Sequence, residues 1–147
     1  MGKARAALIG TALAVAFGLA FTSTASAADG RLYAYEDAGF ADSHCSWVGD
    51  HKDWRYSEWN MPHRGVCSWW YSDANSNFND EASSIWNNGY PGGADDVRLY
   101  KHINHGAPSM CIGNGDRWSD LNTGRQRFSD GSFANDQISS HRWVTSC

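Results

Sequence analysis

The sequence predicts an all-β protein of two similar β motifs, and three observations carry this prediction. Turn-forming dipeptides such as Asn88-Gly89 and Asp130-Gly131 recur along the chain, with short stretches of aromatic and β-branched residues between them. No stretch beyond the N-terminal segment keeps a helical period for more than a turn or two. A phrase of six residues occurs twice, as NDEASS at residues 79–84 and NDQISS at residues 135–140. Short strands at this spacing are typical of a β-sandwich or barrel.

The N-terminal segment has the features of a cleaved secretory signal. Lys3 and Arg5 precede an apolar run over residues 7–21, and Ala25-Ser26-Ala27 supplies a small-residue cleavage site. The run is shorter than the ~20 apolar residues that a membrane span needs. We therefore expect residues 1–27 to be a signal peptide cut near Ala27. The product would be secreted, with no membrane partner.

The expected mature chain is acidic and short. Loss of Lys3 and Arg5 with the signal changes the net charge from −4 to −6. An acidic protein is poorly suited to polyanions, so we expect no nucleic-acid partner. Residues 28–147 are enough for one domain with one core, and we expect a monomer.

The cysteine count predicts two disulfides. An even number of cysteines in an exported chain reads as a disulfide framework, whereas zinc would favour a C-x-x-C spacing that is absent. Three pairings are possible, and the sequence alone does not choose among them. We favour the pairing that keeps each bridge inside one half of the chain, which joins Cys45 to Cys67 and Cys111 to Cys147.

Weak internal similarity accompanies the doubled phrase. Leu32-Tyr33 resembles Leu99-Tyr100, and Gly39 matches Gly106 at the same offset. This similarity predicts a duplicated motif, with one copy in each half of the chain.

The two copies differ in length. The first motif spans about residues 31–90 and the second about residues 97–147, and the first carries an insertion around residues 59–73. Trp59 and the pair Trp69-Trp70 lie in this insertion, and such tryptophans either pack in the core or stack on a glycan.

The doubled phrase offers the oxygen donors that a hard cation requires. Calcium takes six to eight oxygen ligands, whereas zinc and copper prefer softer ones. Asn, Asp and Ser are also ordinary turn residues, but two copies at corresponding places favour a metal role. The phrase does not match the twelve-residue EF-hand pattern. The candidate donors are the carboxylates of Asp80 and Asp136, the amides of Asn79 and Asn135, the hydroxyls of Ser83 and Ser139, and the carbonyls of Glu81 and Gln137.

The doubled pattern resembles the calcium signature of microbial βγ-crystallins, which is [ND]-[ND]-x-x-[ST]-S once per β motif. A second mark of that family is an aromatic, four residues, another aromatic, one residue and glycine. Tyr35 and Phe40 match the two aromatics, with Asp42 where glycine is expected. In the second half, residues 102–107 (HINHGA) show no aromatic pair in that register.

The resemblance implies two Greek-key motifs packed as a β-sandwich, with two Ca²⁺ sites of modest affinity, ~10⁻⁵ to 10⁻³ M. It implies one site from Asp80, Glu81 and Ser83 and another from Asp136, Gln137 and Ser139. A further carbonyl per site would come from the partner motif, at Glu36 or Ile103. It also implies that Ser84 and Ser140 hold their loops.

We expect a non-catalytic protein in which calcium braces the fold. The chain contains neither a G-x-S-x-G nor an H-E-x-x-H motif. The resemblance extends to secreted actinobacterial metalloproteinase inhibitors and to killer-toxin-like proteins, so peptidase inhibition is an alternative, with residues 62–67 (PHRGVC) as a candidate loop. Carbohydrate binding through tryptophans is a further alternative. The expected partners are calcium and, under these alternatives, an extracellular protease or a glycan.

Overall fold

The computed structural model describes residues 27–55, 65–68 and 77–147 of the chain. The expected signal, except for Ala27, and most of the insertion lie outside these residues. The described part contains no helix long and apolar enough to cross a membrane. Its strands are Arg31–Asp37 (β1), Ala41–Trp47 (β2), Gly65–Cys67 (β3), Ser84–Asn88 (β4), Asp96–His102 (β5), Gly106–Ile112 (β6), Arg117–Trp118 (β7) and Ser140–Val144 (β8). The all-β prediction is confirmed.

The strands form two antiparallel sheets. The first has the order β3-β2-β1-β4-β7 and the second β6-β5-β8. At the outer side of β8, His51 and His141 exchange two main-chain hydrogen bonds of 3.0 and 2.8 Å as an isolated bridge. A single 3₁₀ turn, Ile103–His105, joins β5 to β6.

Each half of the chain contributes a segment to the sheet of the other half. The short strand β7, from the second half, pairs with β4 of the first sheet. The segment at His51, from the first half, pairs with β8 of the second sheet. In both halves the last strand returns beside the first, β4 next to β1 and β8 next to β5, which is a Greek-key path. The two halves are therefore related by an approximate two-fold arrangement.

The strands form here because their apolar residues alternate. Leu32 and Ala34 are fully buried in β1, and Val97 and Leu99 are fully buried in β5, with partly exposed residues between them. Inward side chains of both sheets join one hydrophobic cluster. Removing this apolar surface from water is the main stabilising term.

Two tryptophans that precede the insertion belong to the core. Trp47 and Trp54 are each 1% exposed, and their rings stack with centroids 4.4 Å apart. For these two residues the packing role outweighs the ligand role. Trp59, Trp69 and Trp70 lie outside the described residues.

Both disulfides have the favoured pairing. Cys45–Cys67 joins β2 to β3, and Cys111–Cys147 joins β6 to the end of the chain. Each bridge stays within one half, as expected. One expectation is corrected. Residues 62–67 were the candidate inhibitory loop, but the last three of them, Gly65–Cys67, form strand β3 beside β2.

The internal repeat has a different register from the one expected. β1 and β5 share the same length, the same burial pattern and a bulge at the same place, which aligns Leu32 with Val97 and Tyr35 with Tyr100. The sequence comparison had aligned Tyr33 with Tyr100, which is wrong by two residues. A slip of two residues leaves every side chain on its original face, so alternation of apolar residues does not detect it.

Candidate metal centre

The two phrases lie side by side and are joined by reciprocal main-chain hydrogen bonds. The amide of Asp80 donates to the carbonyl of Ile138 (3.1 Å), and the amide of Asp136 donates to the carbonyl of Ala82 (3.0 Å). Both aspartates have a left-handed backbone, with φ of 60° and 53°. Asp and Asn adopt this conformation more readily than most residues that carry a Cβ. This requirement explains why both copies place aspartate at the second position.

The side chains of the two phrases pair crosswise. Ser83 Oγ donates to Asp136 Oδ1 (3.2 Å), and Ser139 Oγ donates to Asp80 Oδ1 (3.1 Å). We had grouped each aspartate with the serine of its own phrase. The structure instead brings each aspartate to the serine of the other phrase, because the two halves face each other across the approximate two-fold.

The carbonyls that each motif offers to the phrase of the same half follow the corrected register of the repeat. The amides of Ser83 and Ser139 donate to the carbonyls of Tyr35 and Tyr100, both at 2.9 Å. Glu36 follows Tyr35 and Lys101 follows Tyr100, so these two residues hold equivalent positions in β1 and β5.

Lys101 therefore takes the place in the second half that we had given to Ile103. Its carbonyl accepts a hydrogen bond from Ser139 Oγ (2.8 Å). The carbonyl of Ile103 accepts from the amide of Gly106, although Ile103 lines the same cleft. Hereafter the Asp80 site comprises Asp80, Ser139 and Lys101, and the Asp136 site comprises Asp136, Ser83 and Glu36.

The first asparagine of each phrase positions the aspartate that follows it. Asn79 Nδ2 donates to Asp80 Oδ2, and Asn135 Nδ2 donates to Asp136 Oδ2, both at 2.6 Å. Asn79 Oδ1 is buried and accepts no hydrogen bond from a described residue. A buried acceptor without a donor is costly, and a cation or a bound water would satisfy it.

The last serine of each phrase holds a neighbouring turn, as expected. Ser84 Oγ donates to the carbonyl of Asp37 (2.7 Å) and accepts from the amide of Phe40 (3.0 Å). Ser140 makes the equivalent pair of bonds in the second half, at 2.6 and 3.1 Å. These two hydroxyls are therefore engaged with the main chain rather than with the aspartates.

An aromatic pair supports each turn, and the sequence comparison had found the first pair but not the second. Tyr35 packs against Phe40 with ring centroids 5.5 Å apart, and Tyr100 packs against His105 at 5.3 Å. Phe40 and His105 both have left-handed backbone, with φ of 61° and 59°. The comparison missed His105 because its register was shifted and because an imidazole replaces the second aromatic ring.

The carboxylates at the centre carry an electrostatic cost. Burial raises the pKa of the Asp80 carboxyl, and hydrogen bonds from Ser139 and Asn79 oppose this to a smaller extent. Burial, followed by repulsion from Glu36 and from the two aspartates, raises the pKa of Glu81. A cation bound between these groups would stabilise their ionised forms.

A solvent-open cleft of about 320 Å³ borders the Asp80 site. Among the residues that the structure describes, no three His, Cys, Asp or Glu side chains are grouped so that they could hold a metal. A cation here would depend on hydroxyl, amide and carbonyl oxygens as well as carboxylates, which suits calcium better than a transition metal. The cleft is lined by Arg55, Asn79, Asp80, Lys101, His102, Ile103, Asp136, Gln137 and Ser139.

Comparisons with known proteins support the fold. No protein-family model and no curated protein matches the chain. Solved structures do match. One, described as "Evolution of the eye lens beta-gamma-crystallin domain fold", is 18% identical, covers 84% of this chain and 94% of its own, and gives a TM-score of 0.53.

Two further matches are to a βγ-crystallin from Ciona intestinalis and one from an archaeon. They are 15% and 19% identical, each covers 78% of this chain, and they cover 99% and 96% of their own chains, with TM-scores of 0.49 and 0.48. Identities this low concern the fold alone. The first match, together with the exchanged strands, shows that the chain has the βγ-crystallin fold.

Proposed function

We propose that this chain is a secreted, non-catalytic calcium-binding domain in which two cations brace the contact between its halves. The observation that carries the proposal is the crosswise pairing of Asp80 with Ser139 and of Asp136 with Ser83. Each pair brings a carboxylate and a hydroxyl together, and the carbonyl of Lys101, in β5, contacts the hydroxyl of Ser139. Two such constellations at corresponding places are more than ordinary turns require.

The proposed ligands are oxygens of both phrases. The Asp80 site would use the Asp80 carboxylate, the Ser139 hydroxyl and the Lys101 carbonyl, and the Asp136 site would use their counterparts. Glu81 and Gln137 stay as main-chain candidates, and Asn79 and Asn135 orient the aspartates. Calcium would supply positive charge where carboxylates are crowded, and it would link the two halves.

Secretion is part of the proposal. All four cysteines are paired, and none is free in the described chain, which contains them all. Such disulfides persist in oxidising compartments and not in the cytosol. The expected signal at residues 1–27 agrees with this location.

The test is a thermal melt of Asp136→Asn in calcium and in chelator. Asparagine is chosen because it tolerates the left-handed backbone at residue 136. Calcium at a hundred times its Kd adds ~2.7 kcal/mol per site, on the order of 10 °C in Tm for a domain of this size. We expect Asp136→Asn to lose about half of the calcium-induced rise in Tm and to match the parent in chelator.

Asp42→Asn is the matched control. Asp42 is also exposed and left-handed, with φ of 59°, but it lies outside both sites. Its calcium-induced rise should equal that of the parent. An equal loss of Tm in chelator and in calcium for Asp136→Asn would show that Asp136 serves the turn alone.

Carbohydrate binding is a second candidate, favoured by the outer face of the first sheet. Tyr33 and Trp86 lie opposite each other there, with ring centroids 5.4 Å apart. At the corresponding positions of the second sheet stand Arg98 and Arg142. The fold therefore does not require aromatic rings at this place. Binding to a glycan array that persists in chelator would support this candidate.

Peptidase inhibition is the remaining alternative. Val66 lies on β3, at the edge of the first sheet, is 54% exposed, and is held next to the Cys45–Cys67 bridge. A braced, exposed apolar residue at a sheet edge is suitable for contact with a protease cleft. Inhibition of an extracellular metalloprotease in an assay panel is the observation that would establish this role.

A further inference from the structure

We infer that the two proposed sites are unequal and that the Asp136 site takes the first calcium ion. The inference rests on the proposed function and adds an order of filling to it. It comes from the residues that differ between the two halves at corresponding positions around the crosswise pairs.

The strand beside each site carries an opposite charge. Glu36 and Lys101 hold the same position, each following the tyrosine whose carbonyl accepts from a site serine (2.9 Å in both). The strand beside the Asp136 site thus carries a glutamate, and the strand beside the Asp80 site carries a lysine, whose ammonium group lies 3.1 Å from Ser132 Oγ.

The two phrases also differ in charge, in the same direction as the two strands. The third position is Glu81 in the first phrase and Gln137 in the second. The carboxylates of Glu36 and Asp136 repel that of Glu81, and Asp80 adds a smaller repulsion, so Glu36, Glu81 and Asp136 contribute negative charge near the Asp136 site. No described cation forms an ion pair with any of these three groups.

Positive side chains border the Asp80 site instead. Arg55, Lys101 and His102 line the cleft beside Asp80, which Asp136 also borders. The Arg55 guanidinium also contacts Asp53 (2.7 Å), and the Lys101 ammonium lies 3.5 Å from Asp130, so part of their charge is compensated. Lys101 differs in charge from its counterpart Glu36, and its ammonium group opposes a divalent cation at the Asp80 site.

The Asp80 site is also the more closed of the two. Ser139 is 4% exposed, and its hydroxyl contacts both Asp80 Oδ1 (3.1 Å) and the Lys101 carbonyl (2.8 Å). Ser83 is only half-buried, and its hydroxyl contacts Asp136 Oδ1 (3.2 Å). A cation at the Asp80 site must therefore replace more existing contacts.

Replacing a nearby unit charge should change calcium affinity about three- to tenfold at low salt, and less at high salt. The test is calorimetric titration of calcium into the chelator-treated protein at two ionic strengths, with Asp80→Asn and Asp136→Asn assigning the sites. We expect Asp80→Asn to keep the tighter binding event and Asp136→Asn to lose it. The ratio of the two Kd values should fall as salt rises.

Glu36→Gln and Lys101→Gln form a matched pair on equivalent strands. Glu36→Gln should weaken the tighter event about three- to tenfold, and Lys101→Gln should strengthen the weaker event by a similar factor. Melts in chelator check that both variants fold.

Equal affinities with no dependence on salt, or loss of the tighter event in Asp80→Asn, would overturn the inference and leave the calcium function standing. Absence of any binding in the parent protein would remove the calcium function, and the inference with it.

Discussion

The imidazole of His141 is enclosed by the core and has both ring nitrogens satisfied. It is fully buried, its Nδ1 accepts from Trp54 Nε1 (2.9 Å), and its Nε2 donates to the carbonyl of Gly49 (2.9 Å). Since the indole can only donate, these contacts require the neutral ring with its proton on Nε2. Trp54 thereby connects the segment that follows His51 to strand β8.

Protonation of His141 should destabilise the fold at mildly acidic pH. Burial lowers its pKa from 6.5 to about 3. The unfolded chain binds this proton below pH 6.5 and the folded chain does not, so the stability is complete above pH 6.5 and is lost progressively towards pH 3. The loss at pH 5 is about 2 kcal/mol. Urea unfolding at pH 7.5 and pH 5 measures it.

His141→Gln should remove most of this pH dependence, because an amide can accept from the indole and donate to the carbonyl without titrating. His44 is the control, since burial also lowers its pKa but the ring is half-exposed. His44→Gln should keep most of the slope. A slope that is unchanged in His141→Gln would assign it to other groups.

The strands show what the sequence could predict and what it could not. Strand-forming runs such as RLYAY in β1 and VRLYK in β5 were recognisable from composition, and so was the disulfide pairing by halves. The register of the repeat was not, because alignment on the Leu-Tyr pairs keeps all side chains on the correct face. The error then moved the expected loop carbonyl from Lys101 to Ile103.

The exchanged segments were also beyond sequence reasoning. β7 has only two residues, and the segment at His51 is a single bridge, so neither leaves a periodic pattern. Without them nothing in the sequence shows that the halves interlock. The donor types of the two phrases could be predicted from their composition. Their crosswise pairing depends on the interlocked halves, so it could not be predicted.

The bridge between β6 and the chain end should make a large contribution to stability. Cys111 and Cys147 are 36 residues apart, and Cys147 also donates its amide to Asp96 Oδ2 (2.8 Å). In the chain-entropy model a loop of this length stabilises by about 3–4 kcal/mol. The double variant Cys111→Ser/Cys147→Ser should lose about that much in urea unfolding.

The variant Cys45→Ser/Cys67→Ser provides the comparison, because its loop of 22 residues should give a similar, slightly smaller loss. A loss below about 1 kcal/mol for the bridge at the chain end would mean that the unfolded chain is already compact there.

At the scale of the whole molecule, the halves share one core and two exchanged segments. Buried residues from both sheets form a single cluster, and β7 and the His51 bridge cross between the sheets. If one half unfolded, the other would lose a strand partner and the core residues that the first half contributes.

Heat should therefore unfold the protein in one transition. Calorimetry in chelator should give a ratio of calorimetric to van 't Hoff enthalpy near one, as in other two-state domains. Performing the scan in chelator excludes any contribution of a bound cation to the transition. Two resolved transitions, or a ratio near two, would contradict the interlocked description of the halves.

The crosswise pairs have a consequence for the duplication itself. A chain with only one copy of the motif would carry an aspartate without its serine partner and a serine without its aspartate. Two such chains, docked through a true two-fold axis, would restore both constellations at once. Any cation binding by such chains would depend on dimerisation, whereas two copies in one chain make the pairing independent of protein concentration.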